Sequence, residues 1–170
     1  MTKKGVPADA FKEQTTITSI NFGNYCTYIG DRAFRDCINI ENFNTDNVIE
    51  EIGSYAFTNC ENLKSIVFNK CINIGEYAFE NCKNLKRIRF SILKNINKYT
   101  FNNCINLSTI SLSKCEKIEE CAFKECKSLD SIKLNKCETI GTSAFEGCSS
   151  LSIVTLPVCK KIYSNFFLLC

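Results

Sequence analysis

The chain has 170 residues, of which 45% are hydrophobic and 23% are charged, and its formal net charge is +3. This composition is typical of a globular chain of one-domain size and excludes a disordered protein, while so weak a charge does not favour nucleic acid or an anionic membrane as partner. Because the sequence contains no histidine, it excludes an imidazole base, a Ser-His or Cys-His pair and a His-containing zinc site.

The first 16 residues precede the regular part of the sequence. They contain lysines but no apolar run, which argues against a secretory signal peptide, and no stretch of the chain approaches 18 uninterrupted apolar residues. We therefore expect no membrane insertion. We predict that residues 1–16 form an N-terminal capping segment, with Val6 and Phe11 packed on the first coil, and that residues 17–170 form a solenoid.

A single pattern of 22 residues recurs through this second part. Its consensus is I-G-x-x-A-F-x-x-C-x-x-L-x-x-I-x-L-x-x-C-x-x, with one extra residue before Ile52. A fixed period of this length predicts a solenoid of about six to seven coils, because propeller blades and helical-hairpin repeats are longer. The repeat begins at Ile29, Ile52, Ile74, Ile96, Ile118, Ile140 and Ile162.

Each repeat predicts three short elements in the same order. The Ala-Phe segment that follows I-G is too short for a long helix, so we predict a single helical or 3-10 turn there. The segment L-x-x-I-x-L alternates apolar and polar residues and predicts a short strand with one buried side. The residues before the next repeat isoleucine predict a second short extended segment. The predicted fold class is therefore an α/β solenoid.

Twelve of the thirteen cysteines follow the same frame, and Cys121 is the exception. One cysteine slot also accepts Leu93, which indicates an apolar core position, where free cysteine behaves as a small hydrophobic residue. There is no C-x-x-C motif and no base, so neither a metal site nor a nucleophile is predicted. A disulfide needs Cβ atoms about 3.8 Å apart, closer than the roughly 4.8 Å between stacked coils. We predict mostly buried free thiols, with Cys121 and Cys170 the most exposed, and a cytoplasmic location.

The frame resembles the leucine-rich repeats of the BspA-like family, of the LRR 5 class, over about residues 15–170. The repeats at 52–68, 74–90 and 140–156 carry the resemblance most clearly. It implies a curved, right-handed solenoid that binds other macromolecules, without catalytic residues or a cofactor. It also implies a cell-surface location and adhesion to host proteins, as alternatives to the cytoplasm. The abundance of Asn, Lys, Ile and Cys favours a protist-type member of the family.

In a solenoid the solvent-facing strand positions select the partner, whereas the core positions specify the fold. These positions are mostly small and polar, and arginines there are suited to bidentate contacts with carboxylates. The simpler explanation is that an exposed strand must be polar in any case. The strand surface has no aromatic anchor, so nucleic acid is not favoured and a strong hot spot is not predicted. We predict a non-enzymatic protein-binding module that uses Ser65, Val67, Arg87, Arg89, Thr109, Ser111 and Lys133.

The C-terminal end supports a second hypothesis. The sequence ends within a repeat unit, where Phe166 replaces the usual alanine and apolar residues replace polar ones. An uncapped apolar end of a solenoid favours burial against another subunit or a continuing chain. The alternative function is therefore a scaffold that forms a homo-oligomer through Phe166, Phe167, Leu168 and Leu169.

Overall fold

The computed structural model describes residues 4–45 and 48–165, which wind into a right-handed β-solenoid of about seven coils. Within these residues there are fifteen short strands. They are β1 (Gly5–Val6), β2 (Ser19–Asn21), β3 (Tyr28–Ile29), β4 (Asn42–Asn44), β5 (Glu51–Ile52), β6 (Ser65–Phe68), β7 (Asn73–Ile74), β8 (Arg87–Phe90), β9 (Asn95–Ile96), β10 (Thr109–Leu112), β11 (Lys117–Ile118), β12 (Ser131–Lys133), β13 (Thr139–Ile140), β14 (Ile153–Thr155) and β15 (Lys161–Ile162).

The strands stack in two parallel series, one on each side of the solenoid. Strands β2, β4, β6, β8 and β10 form one sheet, which β12 and β14 extend as a separate pair. The odd-numbered strands form two sheets of four, β1 to β7 and β9 to β15. We call the outward side chains of the even-numbered strands the strand face, and those of the odd-numbered strands the return face. Pairing is in register, so equivalent repeat positions lie side by side.

The helical turn predicted after I-G is wrong, and with it the α/β class, because the described residues contain no helix. The segment is instead a run of four-residue turns. The N–H of Thr58 donates to the Tyr55 carbonyl at 3.2 Å, whereas the N–H of Phe57 donates to Ala78 of the next coil at 2.8 Å. Because some of these N–H groups bond to the neighbouring coil, they are not available for a helix. Positive φ angles at Tyr55 (59°) and Asn59 (62°) complete the turns.

The core is a stack of phenylalanines, one from each coil. Neighbouring rings are nearly parallel, with centroids 5.0 Å apart for Phe57 and Phe79 and 5.5 Å apart for Phe79 and Phe101. Aromatic rings bury a large apolar area, and their offset stacking adds a further favourable term. The fully buried members of this column are Phe34, Phe57, Phe79, Phe101, Phe123 and Phe145.

The cysteines pack beside the rings and bond to the backbone. The Cys60 thiol donates to the Phe34 carbonyl at 3.1 Å, and the Cys82 thiol donates to the Phe57 carbonyl at 3.2 Å. None of the twelve described cysteines forms a disulfide, and all except the half-buried Cys159 are buried. Our expectation for Cys121 is wrong, because it is only 6% exposed, and Cys170 lies outside the described residues.

The strand ladders are interrupted at two places. At the repeat glycine, a Cβ on Gly53 would lie 2.5 Å from the backbone nitrogen of Asp31, so glycine permits the close stacking of this coil on the one before it. Asn97 occupies the same slot two coils later, and there β7 and β9 do not pair; the Asn97 amide donates to the Ile74 carbonyl at 2.8 Å instead. On the other side of the solenoid, β10 and β12 do not pair, and Ile110 of β10 is half-buried.

Residues 5–16 follow the path of the later coils. β1 pairs with β3, Val6 is buried, and the ring of Phe11 stacks on that of Phe34 at 5.2 Å. The first segment thus covers the N-terminal end of the phenylalanine column. The division of the chain at residue 16 stays a prediction.

We expect Phe79→Ala to lower the free energy of unfolding by about 3–5 kcal/mol, because it leaves a cavity inside the ring stack. Urea unfolding followed by circular dichroism measures this loss. Ser111→Ala, on the exposed strand face, is the control and should change stability by less than about 0.5 kcal/mol. A loss below about 1 kcal/mol for Phe79→Ala would contradict the assigned core.

We expect Cys159 to react with a thiol reagent in the folded protein and the eleven buried described thiols to react only after unfolding. Burial raises the pKa of Cys60 and Cys82, and that of Cys71 to about 12, so the reactive thiolate is scarce as well as shielded. Mass spectrometry after labelling in buffer and in denaturant distinguishes the sites, with Cys159→Ser as control. Rapid native labelling of the Cys60 column would show that the thiols are accessible.

The same pKa shifts predict a loss of stability at alkaline pH. Burial holds the pKa of Cys82 and Cys126 well above the ordinary value of 9.0, so the folded state keeps protons that the unfolded state releases. The free energy of unfolding should therefore fall as the pH rises above 9. Urea titrations at neutral and alkaline pH measure the slope, which should be smaller in Cys82→Ala. An equal slope in that variant would assign the effect to other groups.

Candidate functional site

The strand face is built by the alternation of the even-numbered strands. In β8, Ile88 and Phe90 point into the core, and Arg87 and Arg89 are exposed on the outside. The in-register pairing places small side chains on both sides of the two arginines. The residues that form this part of the strand face are Ser65, Val67, Arg87, Arg89, Thr109 and Ser111.

The structure therefore brings six of the seven residues predicted for partner binding onto three adjacent strands. The seventh, Lys133, is exposed on β12, across the gap beside β10. A cleft of about 340 Å³ lies at this gap and is lined by Ser111, Asp130 and Lys133 among others. The role of these seven residues in binding stays a prediction.

Ion pairs neutralise most cations elsewhere on the described surface. Several pairs join the same slot of neighbouring coils, as in Lys94–Glu116 at 2.9 Å and Lys160–Glu138 at 3.0 Å on the return face. Such exposed pairs add little to stability. Across residues 4–45 and 48–165, the cations with no ion pair or ring contact are Lys70, Lys86, Arg87, Arg89, Lys114, Lys133 and Lys136.

All seven lie on the strand face or directly beside it. Lys86 immediately precedes β8, whereas Lys70, Lys114 and Lys136 occupy one repeat slot in the turn that follows each strand. Our sequence reasoning missed these four lysines. A signal was present, since three of them recur at the same repeat position, but the sequence does not show which lysines find a carboxylate.

The turns carry ladders of identical side chains that have structural roles. The rings of Tyr55, Tyr77 and Tyr99 stack 4.7 Å apart, and a hydrogen bond with the Cys121 thiol raises the pKa of Tyr99 to about 12. Beside them, the side-chain amide of Asn81 donates from Nδ2 to the side-chain oxygen Oδ1 of Asn59 at 2.8 Å. These side chains stack on or hydrogen-bond to their equivalents in the next coil, so few of their donors and acceptors are available to a ligand.

The return face carries a groove of about 870 Å³ that runs along β3, β5 and β7 and reaches Asn95 and Asn97. Glu51, Gly53 and Asn73 are among the residues that line it. No lysine or arginine lines it. In the described parts of the chain, no three cysteine or acidic side chains converge as a metal site would require, and no helix is suited to crossing a membrane.

The last described coil exposes apolar side chains. Ile153 is 57% exposed, and Val158, Ile162 and Tyr163 are also exposed. The residues predicted for self-association, Phe166, Phe167, Leu168 and Leu169, lie outside the described residues.

The stacked strands, repeat turns and continuous apolar column define a leucine-rich-repeat solenoid. The chain matches the BspA type leucine rich repeat region in six copies, over residues 4–112 and 69–170. It therefore belongs to the BspA-type leucine-rich repeat family, whose members are typically non-enzymatic scaffolds. No curated protein sequence matches the chain significantly.

Solved bacterial structures share this fold. A leucine rich cell surface protein from Faecalibacterium prausnitzii is 26% identical, with a TM-score of 0.81 over 95% of this chain and 43% of its own. A leucine rich repeat protein from T. pallidum is 25% identical, with a TM-score of 0.79 over 88% of this chain and 72% of its own. One from Eubacterium ventriosum is 20% identical, with a TM-score of 0.61 over 89% of this chain and 36% of its own.

These comparisons bear on the predicted location. The chain spans less than half of the Faecalibacterium neighbour, which is a cell surface protein. The predicted cytoplasmic location gains no support from them. Leucine-rich repeat proteins generally act in protein interactions, and this chain is consistent with an interaction or surface module.

Proposed function

We propose that the chain is a non-enzymatic protein-binding module that contacts its partner through the strand face. The observation that carries the proposal is the row of exposed side chains on β6, β8 and β10, where Arg87 and Arg89 have no ion-pair partner among the described residues. Small neighbours such as Ser65 and Ser111 leave both guanidinium groups open to an approaching surface.

A regular sheet of this kind is suited to recognition because its core and its surface are independent. Substitutions on the strand face leave the phenylalanine column untouched, so the surface can fit a partner without loss of the fold. We further propose that the module acts at the cell surface, in adhesion or host interaction, and its similarity to a bacterial cell surface protein supports this. We also propose a protist origin from the abundance of Asn, Lys, Ile and Cys, although the solved neighbours are bacterial.

The second candidate is a scaffold that self-associates through its C-terminal end. The exposure of Ile153 (57%) and Ile162 (49%) in the last described coil favours it, because exposed apolar patches mark contact surfaces. Light scattering over a range of concentrations tests this candidate. A mass that rises with concentration would support the scaffold, and a constant monomer mass would contradict it.

A steric block tests the module without changing its charge. We expect the double variant Ser65→Trp/Ser111→Trp to lose a protein that the unmodified chain captures from lysates of the source organism or its host, because two indole rings would hold a partner off the sheet. Asn73→Trp/Asn95→Trp, on the exposed return face, is the matched control and should retain capture.

Mass spectrometry identifies the captured protein, and circular dichroism confirms that both variants fold. Equal capture by both double variants would show that the strand face is not the binding surface. Loss of capture in the return-face variant alone would move the site to the opposite side of the solenoid.

A further inference from the structure

Among the described residues, the cations with no ion pair or ring contact are confined to one side of the molecule. Arg87 and Arg89 lie at the centre, on β8, and Lys86 directly precedes that strand. Lys70 follows β6, and Lys114 follows β10. With Lys133 and Lys136 on the next coil, the seven form what we call the basic band, across four coils spaced at roughly 4.8 Å.

We propose that the basic band binds an extended acidic segment of a partner protein, one rich in aspartate and glutamate. This proposal rests on the proposed function and names the chemistry of the partner. The net charge of +3 does not indicate the band, because it sums charges over the whole chain. The band stands out only because ion pairs neutralise most other cations in the described part of the chain.

Among the residues that the structure describes, little acidic charge is available to the band. Glu41 is held by Lys64 in an ion pair beside it. Asp130 borders the band at the cleft with Lys133, and there it accepts a hydrogen bond from the Ser131 hydroxyl at 2.9 Å. Clustered like charges repel one another, and this repulsion is relieved when carboxylates of a partner lie among them.

The form of the surface favours an extended segment over a folded one. Tight contacts between folded proteins centre on aromatic and apolar anchors, and the exposed positions of β6, β8 and β10 carry none larger than Val67. An acidic segment needs no such pocket, because arginine forks pair with carboxylates in two parallel hydrogen bonds. Nucleic acid fits less well, since single strands bind by stacking on aromatic rings.

The test is the binding of a fluorescein-labelled oligoglutamate peptide to the full chain, measured by fluorescence anisotropy. We expect saturable binding that weakens as salt is raised, because solvent screens exposed charges. In Arg87→Gln/Arg89→Gln/Lys133→Gln the dissociation constant should rise at least about tenfold, through the loss of three charge-assisted contacts.

The matched control is Lys94→Gln/Lys98→Gln/Lys160→Gln, which removes the same charge from lysines that are held in ion pairs. Its dissociation constant should change less than about twofold, because exposed paired lysines contribute little. Equal weakening by both triple variants would show that net charge alone attracts the peptide and would overturn the proposal.

Two competing probes test the class of ligand. A heparin oligosaccharide or oligothymidine that binds more tightly than oligoglutamate, and that loses affinity in the strand-face triple variant, would overturn the acidic-protein assignment. If oligoglutamate does not bind while Ser65→Trp/Ser111→Trp still abolishes protein capture, the acidic partner is wrong and the binding module stands. If oligoglutamate does not bind and Ser65→Trp/Ser111→Trp also retains protein capture, both the acidic partner and the strand-face binding module are rejected.

Discussion

In-register stacking of equivalent residues is the constraint on which the rest of this structure depends. One coil alone cannot bury its apolar side chains. In the stack, the column phenylalanines from Phe34 to Phe123 each lie between the rings of two neighbours, and some turn N–H groups donate to the next coil. Backbone pairing and ring packing therefore require the same spacing. A glycine such as Gly53 permits that spacing where it brings two backbones together.

The same constraint organises the surface. Because equivalent slots lie side by side, a lysine in one coil meets whatever the neighbouring coil carries in that slot. Where the neighbour is a glutamate, as at Lys94 and Glu116, the charges pair. The lysine slot that contains Lys114 and Lys136 holds no acid in adjacent coils, so its charge stays open to solvent. A chain with a net charge of only +3 thus presents its unpaired positive charges on one side of the described solenoid.

The strand ladders are interrupted at two places, and one of them coincides with departures from the consensus. Leu93 replaces a cysteine and Asn97 replaces a glycine in a single coil, and there the return strands β7 and β9 separate. Neither change by itself explains the gap, because Glu119 occupies the same slot as Asn97 and β11 still pairs with both of its neighbours. No substitution explains why β10 and β12 separate on the strand face.

The sequence by itself determined the repeat length, the solenoid, the buried columns and the outward positions of Arg87 and Arg89, because periodic burial is a local property of the pattern. It predicted a helical turn wrongly, since the turn geometry depends on N–H groups that bond to the next coil. It also did not separate paired from unpaired lysines. That distinction arises from contacts between residues about 22 positions apart, and only the tertiary structure decides which of those side chains meet.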